Sequence, residues 1–141
     1  MKRILSIAML ALLMCSTTFA QDHTAKQEAV KQSAQSWLAL MDRGDYGASW
    51  QEASPFLQSK ISKTDWETAL KQARAPLGVA GSRTLLVAEF QTDLPNAPKG
   101  AYVIQYKTEF VGKGPFVETI TPMLDNDGKW RVSGYFIKQA Q

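Results

Sequence analysis

Ala101-Tyr102-Val103-Ile104-Gln105-Tyr106-Lys107-Thr108-Glu109-Phe110 is the stretch on which the fold turns. Tyr102, Ile104, Tyr106, Thr108 and Phe110 share one side of an extended chain, and Gln105, Lys107 and Glu109 share the other. Successive strand side chains point to opposite faces, so this alternation predicts a strand with one packed face. Downstream, Gly112-Lys113-Gly114-Pro115 reads as a turn and Phe116 to Leu124 as a further strand. Asp125-Asn126-Asp127-Gly128 has the chemistry of a hairpin turn, and Lys129 to Ile137 follows as the last strand. Upstream, the loop from Leu94 to Gly100 carries Pro95 and Pro98, which exclude a central strand. Thr84 to Phe90 before it is β-prone. Four strands in meander are expected.

Ahead of the strands the period changes. Val30, Ala34, Trp37, Leu38 and Met41 fall on one helical face. Thr24 with Gln27 suggests its capping box, and Gly44 suits the residue just past its end. A short helix is expected from Asp45 as N-cap, carrying Tyr46, Trp50 and Ala53. Pro55 opens a further turn with Phe56, Leu57 and Ile61. Thr64 and Glu67 form a second capping-box pair before Trp66, Leu70 and Ala73, and Pro76 closes that helix. Helices segregated from an antiparallel sheet define an α+β domain, with the N-terminal helices packed on one face of a curved four-stranded sheet. No repeat or linker divides it.

The first twenty residues are of another kind. Met1-Lys2-Arg3 is basic, Ile4 to Met14 is an apolar run broken by Ser6, and Cys15 to Ala20 is small and polar. That is the tripartite secretory signal, with cleavage expected after Ala20. The run is too short for a spanning helix, which needs about 20 residues. Met14 before Cys15 is too large for a lipid-attachment box. The expected product is a single domain, 21–141, delivered to the periplasm or secreted, with no stable membrane anchor. Of 16 Lys+Arg, loss of Lys2 and Arg3 leaves 14 against 13 Asp+Glu, so the net charge falls from +3 to +1. The lone Cys15 leaves as well, so no disulfide forms and no thiol remains to mispair in an oxidising compartment. A near-neutral chain without a basic run argues against nucleic acid.

Several chemistries are absent from the residues. His23 is the only histidine and sits beside the expected new N-terminus, a poor place for a rigid imidazole. No G-x-S-x-G elbow or G-x-x-x-x-G-K-[ST] loop occurs. Aligning Gly128 with position 6 of an EF-hand loop puts Met123 and Gly134 where carboxylates belong, so the calcium motif fails. No metal or other cofactor is expected.

The run from Ser36 to Tyr46 with Ala48-Ser49-Trp50 resembles the N-terminal motif of the DUF4019 family of bacterial secreted proteins. Trp66, Arg74-Ala75-Pro76-Leu77-Gly78, Arg83, Gln105-Tyr106, Glu118-Thr119, Thr121-Pro122-Met123 and Trp130 to Tyr135 extend the resemblance over residues 26 to 138. It implies a nuclear-transport-factor-2-like cone, in which a curved sheet wraps helices and leaves a pocket. That architecture hosts isomerases, dehydratases and binding modules alike, so fold alone does not choose among them.

Candidate pocket residues follow from that cone. Tyr46 and Trp50 share a helix face, and Tyr106 lies on the packed face of its strand. They either line a cavity or fill it. Glu118 shares parity with Phe116 and Ile120 and is expected to face inward, where Arg83 or Arg74 would neutralise it. Paired, it locks helix to sheet; free in a pocket, it would serve proton transfer with Tyr46 or Tyr106. The leading expectation is a non-catalytic domain binding a small apolar or amphipathic ligand, or a partner protein, in or at the cone. The alternatives are an isomerase-like enzyme using Glu118, and a module that dimerises through its sheet.

Overall fold

The computed structural model describes the backbone of residues 18–141 and the side chains from residue 24 onward. The expected signal segment, Cys15 and His23 lie outside the residues whose side chains are described. Four helices come first: α1 (Thr18–Asp42), α2 (Tyr46–Gln51), α3 (Pro55–Lys60) and α4 (Lys63–Ala73), the last followed by a 3-10 turn at Ala75–Leu77. Four strands follow: β1 (Ala80–Gln91), β2 (Ala101–Phe110), β3 (Gly114–Leu124) and β4 (Trp130–Gln139). All neighbours pair antiparallel in the order β1-β2-β3-β4, and the sheet does not close into a barrel. The class is α+β, helices before sheet.

α1 buries the predicted face: Val30, Ala34, Trp37, Leu38 and Met41 are all inside. Its start differs from expectation. The helix is already formed at Thr18, so Thr24 and Gln27 lie within it rather than capping it. The residues around them (Ala20, Gln21, Ala25, Lys26, Glu28, Ala29) are good helix formers, and neither Gly nor Pro interrupts them. The Gln27 amide donates instead to the Ala88 carbonyl of β1 at 3.4 Å. The end is as expected. Gly44 takes φ +76°, Gly44 N–H donates to Met41 O and Asp45 N–H reaches back to Leu40 O, which is a Schellman closure.

Asp45 precedes α2, yet its side chain makes no cap bond; it pairs with Arg43 Nε at 3.0 Å instead. The turn expected at Pro55 is a complete short helix, α3, capped by Ser54 Oγ, which accepts from Leu57 N–H. At α4 the cap lies two residues earlier than the Thr64–Glu67 pair. Ser62 Oγ accepts from Asp65 N–H at 3.1 Å and also bonds the Asp65 carboxylate. Asp65 in the first turn complements the helix dipole.

β2 has the predicted bounds, and β1, β3 and β4 each run longer than predicted. Pro122 sits in β3, which is paired on both sides, a position normally closed to proline. The register of β3 with β4 shifts between Ile120 and Pro122, an irregularity that accommodates the missing N–H. The core lies between the inner sheet face and the helices, with Tyr102, Ile104, Tyr106, Ile120 and Val132 packed against Trp37, Leu57, Trp66 and Leu70. No described helix is long and apolar enough to cross a membrane.

Candidate functional site

Strand parity turns Glu118 inward beside Ile120, and it is completely buried. A lone buried carboxylate is severely penalised, and three strands supply its partners. Arg83 Nε of β1 donates to Oε1 at 2.9 Å, Thr108 Oγ1 of β2 donates to Oε1 at 2.5 Å, and the Tyr135 hydroxyl of β4 donates to Oε2 at 2.6 Å. Thr108 and Tyr135 sit diagonally from Glu118 across the ladders, within cross-strand reach.

Arg83 carries the network to the helices. Its two terminal nitrogens donate to the two Asp42 oxygens, each at 2.6 Å, in a bidentate fork. Asp42 is the last residue of α1, and Arg74 at the end of α4 donates to the same carboxylate at 3.0 Å. Arg74 also donates to Gly78 O at 2.9 Å and lies 4.5 Å above the Phe110 ring. Its Nε is without a partner. Two arginines and two carboxylates cancel, and together they tie α1 and α4 to β1 and β3.

The titration shifts agree with a closed network. Burial pushes the Asp42 carboxyl up, but hydrogen bonds and charge from Arg83 and Arg74 outweigh it and hold the group below its ordinary value. Burial works against the Arg83 cation, yet Asp42 and Glu118 raise its affinity for the proton above normal. Burial first, then the charge and hydrogen bond of Glu118, put the Tyr135 phenol far above its usual range. Tyr135 is therefore a fixed donor at any physiological pH.

Of the six residues singled out from sequence, Glu118 and Arg83 meet directly, and Arg74 joins through Asp42. Tyr46 and Tyr106 are packed into the core, and the half-buried Trp50 donates its indole N–H to Ile61 O at 2.9 Å. Burial raises the Tyr106 phenol, a rise that Gln35, Lys31 and Arg83 oppose. Three residues of the Glu118 network escaped the sequence reading, Asp42, Thr108 and Tyr135, and so did Ser49, which is buried apart from it. Ser49 organises the tryptophans. Its Oγ accepts from Trp66 Nε1 at 3.0 Å and donates to Tyr46 O, while its carbonyl accepts from Trp37 Nε1 at 2.8 Å.

Among the described residues, several clefts lie away from this network. One cleft of about 590 Å³ is bounded by Phe56 of α3, Pro98 and Lys99 of the β1–β2 loop, and Met123, Leu124 and Arg131 of the last hairpin. A second, of about 300 Å³, includes Ser33, Glu52 and Trp130. A third, of about 340 Å³, runs from Gly44 to Ala48 and takes in Tyr46. Trp50, Tyr106, Glu118, Arg83 and Arg74 border none of these three. Among the described residues no group of three His, Cys, Asp or Glu is arranged to hold a metal ion.

Compared with known families, the chain matches the family described as "Protein of unknown function (DUF4019)" over residues 33–135. No curated protein matches the chain.

Proposed function

The chain belongs to the DUF4019 family, and we propose that it is a secreted, non-catalytic domain that binds a small amphipathic ligand at its surface. One observation carries this reading: Glu118 has no solvent exposure, and both its oxygens are engaged by Arg83, Thr108 and Tyr135. A general base must come within hydrogen-bond reach of the proton it takes. Glu118 would have to break three bonds first, so the proton-transfer alternative is the weaker one.

The cleft of about 590 Å³ supports the binding half. Its walls are apolar at Pro55, Phe56, Pro98, Met123 and Leu124. Among its basic residues Arg131 is already held by Asp125 and Asp127, which leaves Lys99 to meet an anionic head group. Apolar walls with a few placed polar groups are the usual composition of a small-ligand site. An acyl chain with a carboxylate head fits that chemistry. Delivery beyond the inner membrane rests on the signal pattern of Met1 to Ala20. The order of helices and meander supports kinship with nuclear-transport-factor-2-like domains.

Titration with decanoate, followed by NMR, tests the binding site. Saturable shifts at Phe56, Met123 and Leu124 that vanish in Met123→Glu are expected. Shifts centred instead on Tyr106 and Glu118 would return the ligand to the core and overturn the placement. A second reading, pairing of two copies through the sheet, is favoured by Phe136, which is 61% exposed opposite Thr119. Light scattering at high concentration decides it, a monomer being the negative result.

A further inference from the structure

Lys26 is placed against the pattern of its helix. It lies four residues before Val30, on the side of α1 that is otherwise apolar. Its ammonium sits 5.3 Å from the centre of the Phe90 ring and 5.6 Å from that of Trp130. Tyr102 completes the aromatic surface, 5.2 Å from Phe90 and 5.4 Å from Trp130, nearly edge-on to the latter. The described residues include no carboxylate paired with Lys26; among them its charge is met by aromatic faces.

Two rings, from β1 and β4, meet one cation, and Tyr102 of β2 stands against both rings, so the three together make an aromatic cage. Ring quadrupoles attract cations, and weakly hydrated quaternary ammonium groups gain most from such surroundings. We propose that Phe90, Tyr102 and Trp130 form a binding site for a trimethylammonium group, and that Lys26 fills this site until such a group displaces it. The inference is independent of the cleft near Lys99.

The cage is built into the sheet. Tyr102 is buried, and Phe90 is held by close approach to Gly100. Gly100 has φ +79°, and a Cβ there would overlap the Phe90 ring, so the rim of the cage requires glycine on both counts. Lys26 itself is easily spared. It is exposed, and α1 is tied to the sheet just after it by two other bonds: Gln27 to Ala88 O, and Ser33 Oγ to Trp130 O at 2.8 Å. Withdrawing the lysine leaves the helix docked and the rings in place. The head of a free solute such as choline and the head of phosphatidylcholine carry the same trimethylammonium chemistry.

The test titrates the full chain and its Lys26→Gln variant with tetramethylammonium chloride, against sodium chloride at equal ionic strength. Backbone amide shifts of Phe90 and Arg131 report occupancy. The expected result is saturable binding, about tenfold tighter in Lys26→Gln than in the unaltered chain. Phe90→Leu, on a partly exposed ring, and Trp130→Leu should each abolish it in the Lys26→Gln background; Phe90→Leu guards against a Trp130 variant that does not fold. No saturable shift in Lys26→Gln, or binding undiminished by loss of Phe90, overturns the proposal. Co-sedimentation of Lys26→Gln with phosphatidylcholine but not phosphatidylglycerol vesicles assigns the site to a lipid head group. Binding of choline without co-sedimentation assigns it to a free solute.

Discussion

Two arginines each hold a pair of carboxylates, and their surroundings give the two clusters different work. Arg83 joins Asp42 to Glu118 where helices meet sheet, with Glu118 wholly enclosed. Arg131 joins Asp125 and Asp127 at the tip of the last hairpin, with Asp127 about half exposed. The hydrogen bond from Arg131, helped by Lys129 N–H, brings the Asp127 carboxyl down to about 2. A large shift at the surface is still screened by water, so it says little about stability. The buried cluster lacks that screen. Breaking it leaves charge stranded in the interior. The interior arginine therefore holds the fold together, while the surface arginine shapes a rim.

The largest effect should come from Glu118→Ala, which leaves Arg83 and Arg74 sharing the single carboxylate of Asp42 and removes the acceptor for Thr108 and Tyr135. Urea unfolding should show a loss of about 3–5 kcal/mol. Tyr135→Phe takes one donor from the same carboxylate and should cost about 1.5–3 kcal/mol in the same assay. A smaller change is expected from acid. Asp42 binds its proton more weakly folded than unfolded, so its contribution is complete above the ordinary carboxylate value of 3.8 and disappears as the pH falls through the lower folded value. Asp42→Asn should flatten that part of the pH–stability curve. Smallest of all is Asp127→Asn, whose unfolding midpoint should coincide with that of the parent despite the strong titration shift. If Asp127→Asn proved as damaging as Tyr135→Phe, the contrast between interior and surface would collapse.

Local chemistry made much of the fold legible. The alternation of β2 survives into the structure with its bounds unchanged, because a strand packed on one side must alternate. Gly44 announced the end of α1 because only a left-handed residue closes that turn cheaply. Helix starts were less legible. Thr24 and Thr64 have the residue types of caps, but nothing stops α1 before Thr24, and Ser62 with Asp65 is the pair that closes on α4. Caps depend on backbone geometry that several neighbouring sequences satisfy equally.

For the site, parity alone turned Glu118 inward, and the need for a counter-charge named Arg83 and Arg74. Asp42 was hidden because a polar residue at the end of an amphipathic helix ordinarily faces water. Here the Schellman turn ends α1 beside β1, and both arginines converge on it. Tyr135 and Thr108 carried only the mark of strand position; their bonds to Glu118 need the register of three strands at once. The same holds for the Phe90, Tyr102 and Trp130 cage, whose rings stand on three strands and whose cation comes from α1.

As a structural lock, Glu118 must stabilise the fold through its own pairing with Arg83. A double-mutant cycle of Arg83→Met and Glu118→Leu, read by urea unfolding, tests it most directly. The two side chains touch through a 2.9 Å charge-assisted bond, so the cycle should return a coupling of at least about 1.5 kcal/mol. Additive single-mutant losses, with no coupling between Arg83 and Glu118, would contradict the account and return Glu118 to the candidates for chemistry.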